Sequence, residues 1–109
     1  MDKQKLIEML NYREKLWREN DGSDWGTDEC WNAFIRIALD DWDGFCSFLT
    51  EEAGAMQMVY LSEVMFDLAA KLGNEKVLIP FRKAAEKFPR EAEEWNVLRD
   101  IRCVENNNY

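Results

Sequence analysis

Met56–Leu72, MQMVYLSEVMFDLAAKL, decides the fold. It is the longest apolar run in the chain, and Gly73-Asn74 stops it. Met58, Leu61, Met65, Leu68, Ala69 and Leu72 recur at helical spacing. Val59, Tyr60, Val64 and Phe66 widen that stripe until only a narrow polar edge remains, Glu63, Asp67 and Lys71 at i, i+4 and i+8. A helix apolar on most sides has neighbours on most sides, so 56–72 reads as a central buried helix.

The flanking segments supply those neighbours. Residues 2–19 place Leu6, Met9, Leu10, Arg13 and Trp17 on one helical stripe. Asn20–Gly26 is a turn-rich loop that carries Trp25. Thr27 suits an N-cap, and Asp28 and Glu29 suit the first turn of the helix it opens. From there the register of Trp31, Phe34, Ile35 and Ala38 continues through Trp42, Phe45, Cys46 and Leu49. One helix over 27–49 fits that unbroken phase. A break at Asp40-Asp41 is the alternative, since either aspartate could cap a new helix. Beyond Gly73, Val77, Leu78, Phe81, Ala84, Ala85 and Phe88 share another stripe. Pro80 inside it either kinks that helix or starts it. Phe88-Pro89 ends it. A last helix, about 90–105, presents Trp95, Leu98 and Ile101 before a frayed tail at 105–109. No strand alternation occurs. The expectation is one all-α domain over 1–109. Its architecture is a compact antiparallel bundle or a short stack of helical hairpins, with five to six helices around 56–72.

Composition narrows the function. The 109 residues contain no histidine, and their three cysteines, Cys30, Cys46 and Cys103, form no CxxC. That removes Cys/His zinc sites and histidine-based catalysis, and reads the thiols as reduced packing residues. No phosphate loop, GxSxG or GxGxxG occurs, and Asp21–Asp24 lacks the ligand spacing of a calcium loop. Carboxylate pairs such as Asp40/Asp43 and Glu63/Asp67 share single helix faces and do not oppose each other across a cleft, as glycosidase acids do. The expectation is a non-enzyme with no cofactor and no metal. No apolar run reaches the roughly 20 residues that span a bilayer, and the charged N-terminus does not read as a signal peptide. A cytoplasmic chain that does not enter the membrane is expected, as a monomer.

Net charge is −8, from 14 basic and 22 acidic residues. The acidity is local. Between Glu19 and Glu52 ten carboxylates stand against Arg36 alone, a net −9, which leaves +1 for the rest. Nucleic-acid binding needs cations that displace phosphate counterions, so it is disfavoured. A concentrated negative field instead steers association with a basic protein, against the plainer reading of a solvated face. The candidate partner-binding residues are Asp21, Asp24, Trp25, Asp28, Asp40, Asp41 and Asp43, with Glu63 and Asp67 as a second edge. Trp31 and Trp42 share the core phase and are expected to be buried.

The second half carries a resemblance. Phe48-Leu49, Leu61-Ser62-Glu63-Val64 with Asp67, Ala85-Glu86-Lys87-Phe88-Pro89 and Trp95-Asn96 resemble a pattern of small bacterial immunity proteins from polymorphic-toxin and contact-dependent growth inhibition systems. The similar stretch covers under half the chain, and Pro80 departs from it. The resemblance implies a cytoplasmic antitoxin that binds one cognate toxin domain, often a basic nuclease, and blocks it. Two other readings use the same surface differently. One is a phage-type inhibitor or nucleic-acid mimic. The other is a generic helical adaptor or assembly subunit, which predicts a large exposed apolar patch and self-association.

Overall fold

The computed structural model describes residues 1–19 and 26–107, and all regular structure among them is helical. Eight α-helices occur there, more than the five or six expected. They are α1 (Lys3–Glu19), α2 (Thr27–Asp40), α3 (Trp42–Ser47), α4 (Ala55–Ser62), α5 (Met65–Leu72), α6 (Asn74–Lys87), α7 (Pro89–Glu94) and α8 (Val97–Glu105), with a π-helical turn, Phe48–Glu52, extending α3. The Cα radius of gyration is 12.8 Å. Buried side chains from every α-helix contribute to one core cluster.

The central run holds that position, but as two helices. Met58, Leu61, Val64, Met65 and Leu68 are all fully buried. The helix breaks at Glu63-Val64. Ser62 Oγ donates to the Val59 carbonyl at 2.6 Å. The backbone N–H groups of Glu63 and Val64 donate to Tyr60 (3.2 Å) and Leu61 (3.3 Å), three residues back rather than four. This tightens the last turn of α4 into 3₁₀ geometry, and Val64 leaves the helical region at φ −106°, ψ 13°. The break falls on so few residues that the apolar phase carries across it, so periodicity alone shows one helix. α4 packs against α1, α6, α7 and α8, and α5 against α2, α6 and α8, so the pair is the post that the others surround.

The remaining departures have similar local causes. Residues 27–49 do break at the aspartates: α2 ends at Asp40, and Asp41 caps α3 by accepting the Gly44 N–H at 3.0 Å. Gly26, at φ 84°, takes the N-cap position of α2, and Thr27 is its buried first residue. The last segment divides at Trp95-Asn96, where Asn96 adopts φ 66°. α7 starts on Pro89, whose missing N–H costs nothing at a first helical position. Helix α6 runs through Pro80 without ending there. Gly73 has the positive φ expected of a helix-stopping glycine, at 95°. It also precedes α6 in the cap position expected of Asn74. The Asn74 side chain instead donates to the Val104 carbonyl at 3.0 Å and to Asn107, tying the end of α8 to the start of α6.

Asp41 also binds the chain terminus. The Met1 ammonium donates to its Oδ2 at 2.9 Å. That hydrogen bond, then the one from Gly44, holds the Asp41 carboxyl below the usual aspartate range, and Asp41 in turn raises the amino group. The two shifts act at opposite ends of the pH scale. A lowered carboxyl pKa stabilises the fold above the unfolded value of about 4 and loses that contribution as pH falls through the folded value. A raised ammonium pKa stabilises below its unfolded value of about 8 and is lost as pH rises through the folded value. In a polypeptide starting at Met1, the difference in melting temperature between wild type and Asp41→Asn is therefore expected to be largest at about pH 5–7.5 and to shrink on both sides. Thermal unfolding across pH measures it, and a difference independent of pH contradicts the pairing.

The same cap explains Gly44. A methyl group there would run into the Asp41 carboxylate, so the glycine is a point of close approach and not merely a weak helical position. Gly44→Ala is expected to dislodge the cap and lower stability by about 1 kcal/mol, where an unconstrained helical glycine would gain from alanine. Urea unfolding distinguishes the two signs.

Candidate functional site

The acidic segment lies along α2, α3 and the π-turn. Local helix physics accounts for much of its placement. Asp28 and Glu29 occupy the first turn of α2, and Asp43 the first turn of α3, where the N-terminal end of the helix dipole favours anions. Asp40 sits at the opposite end of α2, where the dipole disfavours it. Asp28 and Asp40 are twelve residues apart on one helix, a separation of about 18 Å along its axis. Asp28, Glu29, Asp40, Asp43 and Glu51 are exposed and make no ion pair among the described residues. The base within this segment is Arg36. Leu39, next to Asp40 in the chain, is 40% exposed.

Other candidates divide. Asp21, Asp24 and Trp25 lie outside the described residues. Asp41 carries the ammonium pair and the α3 cap, so its carboxylate is already engaged on both oxygens. Asp67 is exposed on the first turn of α5. Glu63 is bound within the fold. Arg13 Nε donates to its Oε1 at 2.8 Å and Arg13 Nη2 to its Oε2 at 2.6 Å. The Trp31 indole N–H donates to the same Oε1 at 3.1 Å. The Glu63–Asp67 edge expected from the i, i+4 spacing therefore leaves only Asp67 with an unengaged carboxylate.

Arg13, the partner of Glu63, is the cation that periodicity placed on the core stripe without explaining. Its side chain is 8% exposed, and its guanidinium lies 5.2 Å from the Tyr60 ring centroid. Burial alone would lower its pKa; the hydrogen bonds and charge of Glu63 outweigh that and raise it. Nη1 is buried without a hydrogen-bond acceptor. The cluster of Arg13, Glu63, Trp31 and Tyr60 joins α1 and α2 to the break between α4 and α5.

Aromatic side chains expected in the core stand partly outside it. Trp31 and Trp42 are both half-buried, Trp42 stacking on Phe45 at 5.4 Å. Trp17 and Trp95 meet edge to face at 5.6 Å and are 40% and 36% exposed. The cysteines are free thiols. Burial and the Asp43 charge push Cys46 up to about 11, which leaves it protonated and poorly nucleophilic at neutral pH. Among the described residues no group of three or more His, Cys, Asp or Glu side chains is placed to hold a metal ion, and no helix is long and apolar enough to cross a membrane. No protein-family model, curated protein or solved structure matches the chain.

Proposed function

We propose that this chain is an immunity protein, an antitoxin that binds a cognate basic toxin domain such as a nuclease and blocks its substrate surface. The observation that carries this reading is the ridge of exposed carboxylates along α2, α3 and the π-turn, Asp28, Glu29, Asp40, Asp43 and Glu51, none of which makes an ion pair among the described residues. Arg36 is the one base in that stretch of sequence, and Lys76 and Lys83 of α6 stand across a groove from Asp43 and Glu51. A surface of this sign attracts cationic proteins from a distance and occupies the place of the phosphates that a nuclease binds. The immunity-protein resemblance at 48–96 adds the class of partner. Function on this reading is binding, with no catalytic step, no cofactor and no nucleic-acid or membrane partner. Within the earlier candidate set, Asp28, Asp40 and Asp43 are the primary contacts and Asp67 a flanking one.

The test is the C-terminal domain of the polypeptide encoded directly upstream, purified and titrated with this chain. The expected result is a stoichiometric complex that loses toxic activity and whose affinity falls as salt rises. A neighbouring product that neither binds nor is inhibited contradicts the reading. In that case the same ridge would suit a phage-type inhibitor acting on a different cationic target.

A further inference from the structure

A groove of about 470 Å³ runs between α3 with its π-turn and helix α6. Its α3 wall is one stripe, Trp42, Asp43, Cys46, Ser47, Thr50 and Glu51, spaced to repeat at each helical turn. Its other wall is Lys76, Ile79, Pro80 and Lys83 of α6, at i, i+3, i+4 and i+7. From Trp42 to Glu51 the groove is about 14 Å long, some two and a half helical turns. At the π-turn, Lys87 Nζ donates to the Thr50 carbonyl at 2.9 Å and bridges the two walls.

Three features set this groove apart from an ordinary seam between helices. Ile79 is 50% exposed, the most exposed large apolar side chain in the described protein, and half-buried Trp42 stands on the opposite wall. Four charges rim it, Asp43 and Glu51 on one side and Lys76 and Lys83 on the other. None of the four makes an ion pair among the described residues. Pro80 has no N–H, so the Lys76 carbonyl on this wall lacks the donor a regular helix would give it. Apolar side chains on both walls, Trp42 opposite Ile79 and Pro80, between an acidic and a basic rim suit a convex partner of matching pattern. A second copy of the chain presents a concavity to a concavity and leaves the groove unfilled.

We propose that this groove receives an amphipathic helix of the partner protein, with apolar anchors between a basic edge that meets Asp43 and Glu51 and an acidic edge that meets Lys76 and Lys83. The inference deepens the immunity reading, since Asp43 belongs to both the ridge and the groove. The ridge sets the rate of encounter, and the groove fixes the bound orientation.

The experiment needs no toxin. Two synthetic helical peptides share leucine anchors at i, i+3, i+4 and i+7. One carries lysine on one edge and glutamate on the other; the second carries lysine on both. Calorimetric titration at physiological salt is expected to show the mixed-charge peptide binding at least tenfold more tightly, although the protein carries a net charge of −8. In the Lys76→Glu/Lys83→Glu variant the preference inverts toward the all-lysine peptide. Ile79→Asp, a change at an exposed position, weakens both peptides at least tenfold while circular dichroism stays unchanged. Equal or stronger binding of the all-lysine peptide to wild type overturns the proposal, because general attraction to an acidic protein then suffices. Failure of both peptides, or self-association that Ile79→Asp abolishes, also overturns it. Peptide failure beside normal toxin neutralisation removes the groove and leaves the immunity reading standing.

Discussion

Glu63→Ala is expected to destabilise the fold by about 3 kcal/mol, because it strands a buried guanidinium. Arg13 Nε and Nη2 would lose both acceptors, and Nη1 already has none. Only the Tyr60 ring face would remain to oppose the charge. Arg13→Met is expected to cost less, about 1 kcal/mol, since the Glu63 side chain is 26% exposed and keeps water and the Trp31 indole as donors. The double change Arg13→Met/Glu63→Leu replaces the pair by apolar groups and is expected to stay within about 1 kcal/mol of wild type. Urea unfolding of the three variants gives the coupling directly. Additive losses would show that the pair does not hold the α4–α5 break against α1.

The second large effect concerns binding. Asp28→Lys/Asp40→Lys/Asp43→Lys changes the ridge by six charges at exposed positions. Stability is expected to fall by about 1 kcal/mol, because lysine replaces a favourable first-turn anion at Asp28 and Asp43 while relieving an unfavourable one at Asp40. The association rate with a basic toxin domain is expected to fall about 100-fold at low ionic strength. The gap should narrow as salt shortens the screening length from about 10 Å at 0.1 M to about 3 Å at 1 M. Stopped-flow mixing at several salt concentrations measures both. A salt-independent deficit would point to damaged packing rather than to lost steering.

Much of the architecture was legible because apolar periodicity reports burial directly. The core residues of 56–72 and the stripe of 74–88 follow from it, and the helix end at Phe88-Pro89 follows from the steric demand of the proline on the residue before it. Helix number was not legible, and the reasons are local. At Ser62-Glu63 a hydroxyl back-bond and a side chain drawn to Arg13 divide a helix whose apolar phase never falters. At Trp95-Asn96 one residue with positive φ does the same. The candidate contacts were legible as a charge excess but not as a set of unengaged groups. Spacing puts Glu63 and Asp67 on one line, yet Glu63 closes an ion pair with a residue fifty positions away. Asp41 is likewise taken up by the Met1 ammonium, forty positions distant. A tertiary contact of this kind leaves no mark on local pattern. The hint was Arg13 itself, a cation on an otherwise apolar stripe, which requires a buried acid somewhere in the chain.

The activity of the upstream-encoded toxin domain is measured against increasing amounts of this chain and of the Asp28→Lys/Asp40→Lys/Asp43→Lys variant, at low salt. Complete inhibition is expected near one equivalent of the wild type and, for the folded variant, only at a large excess. Equal inhibition by the two proteins would contradict the assignment of the acidic ridge as the toxin-binding surface.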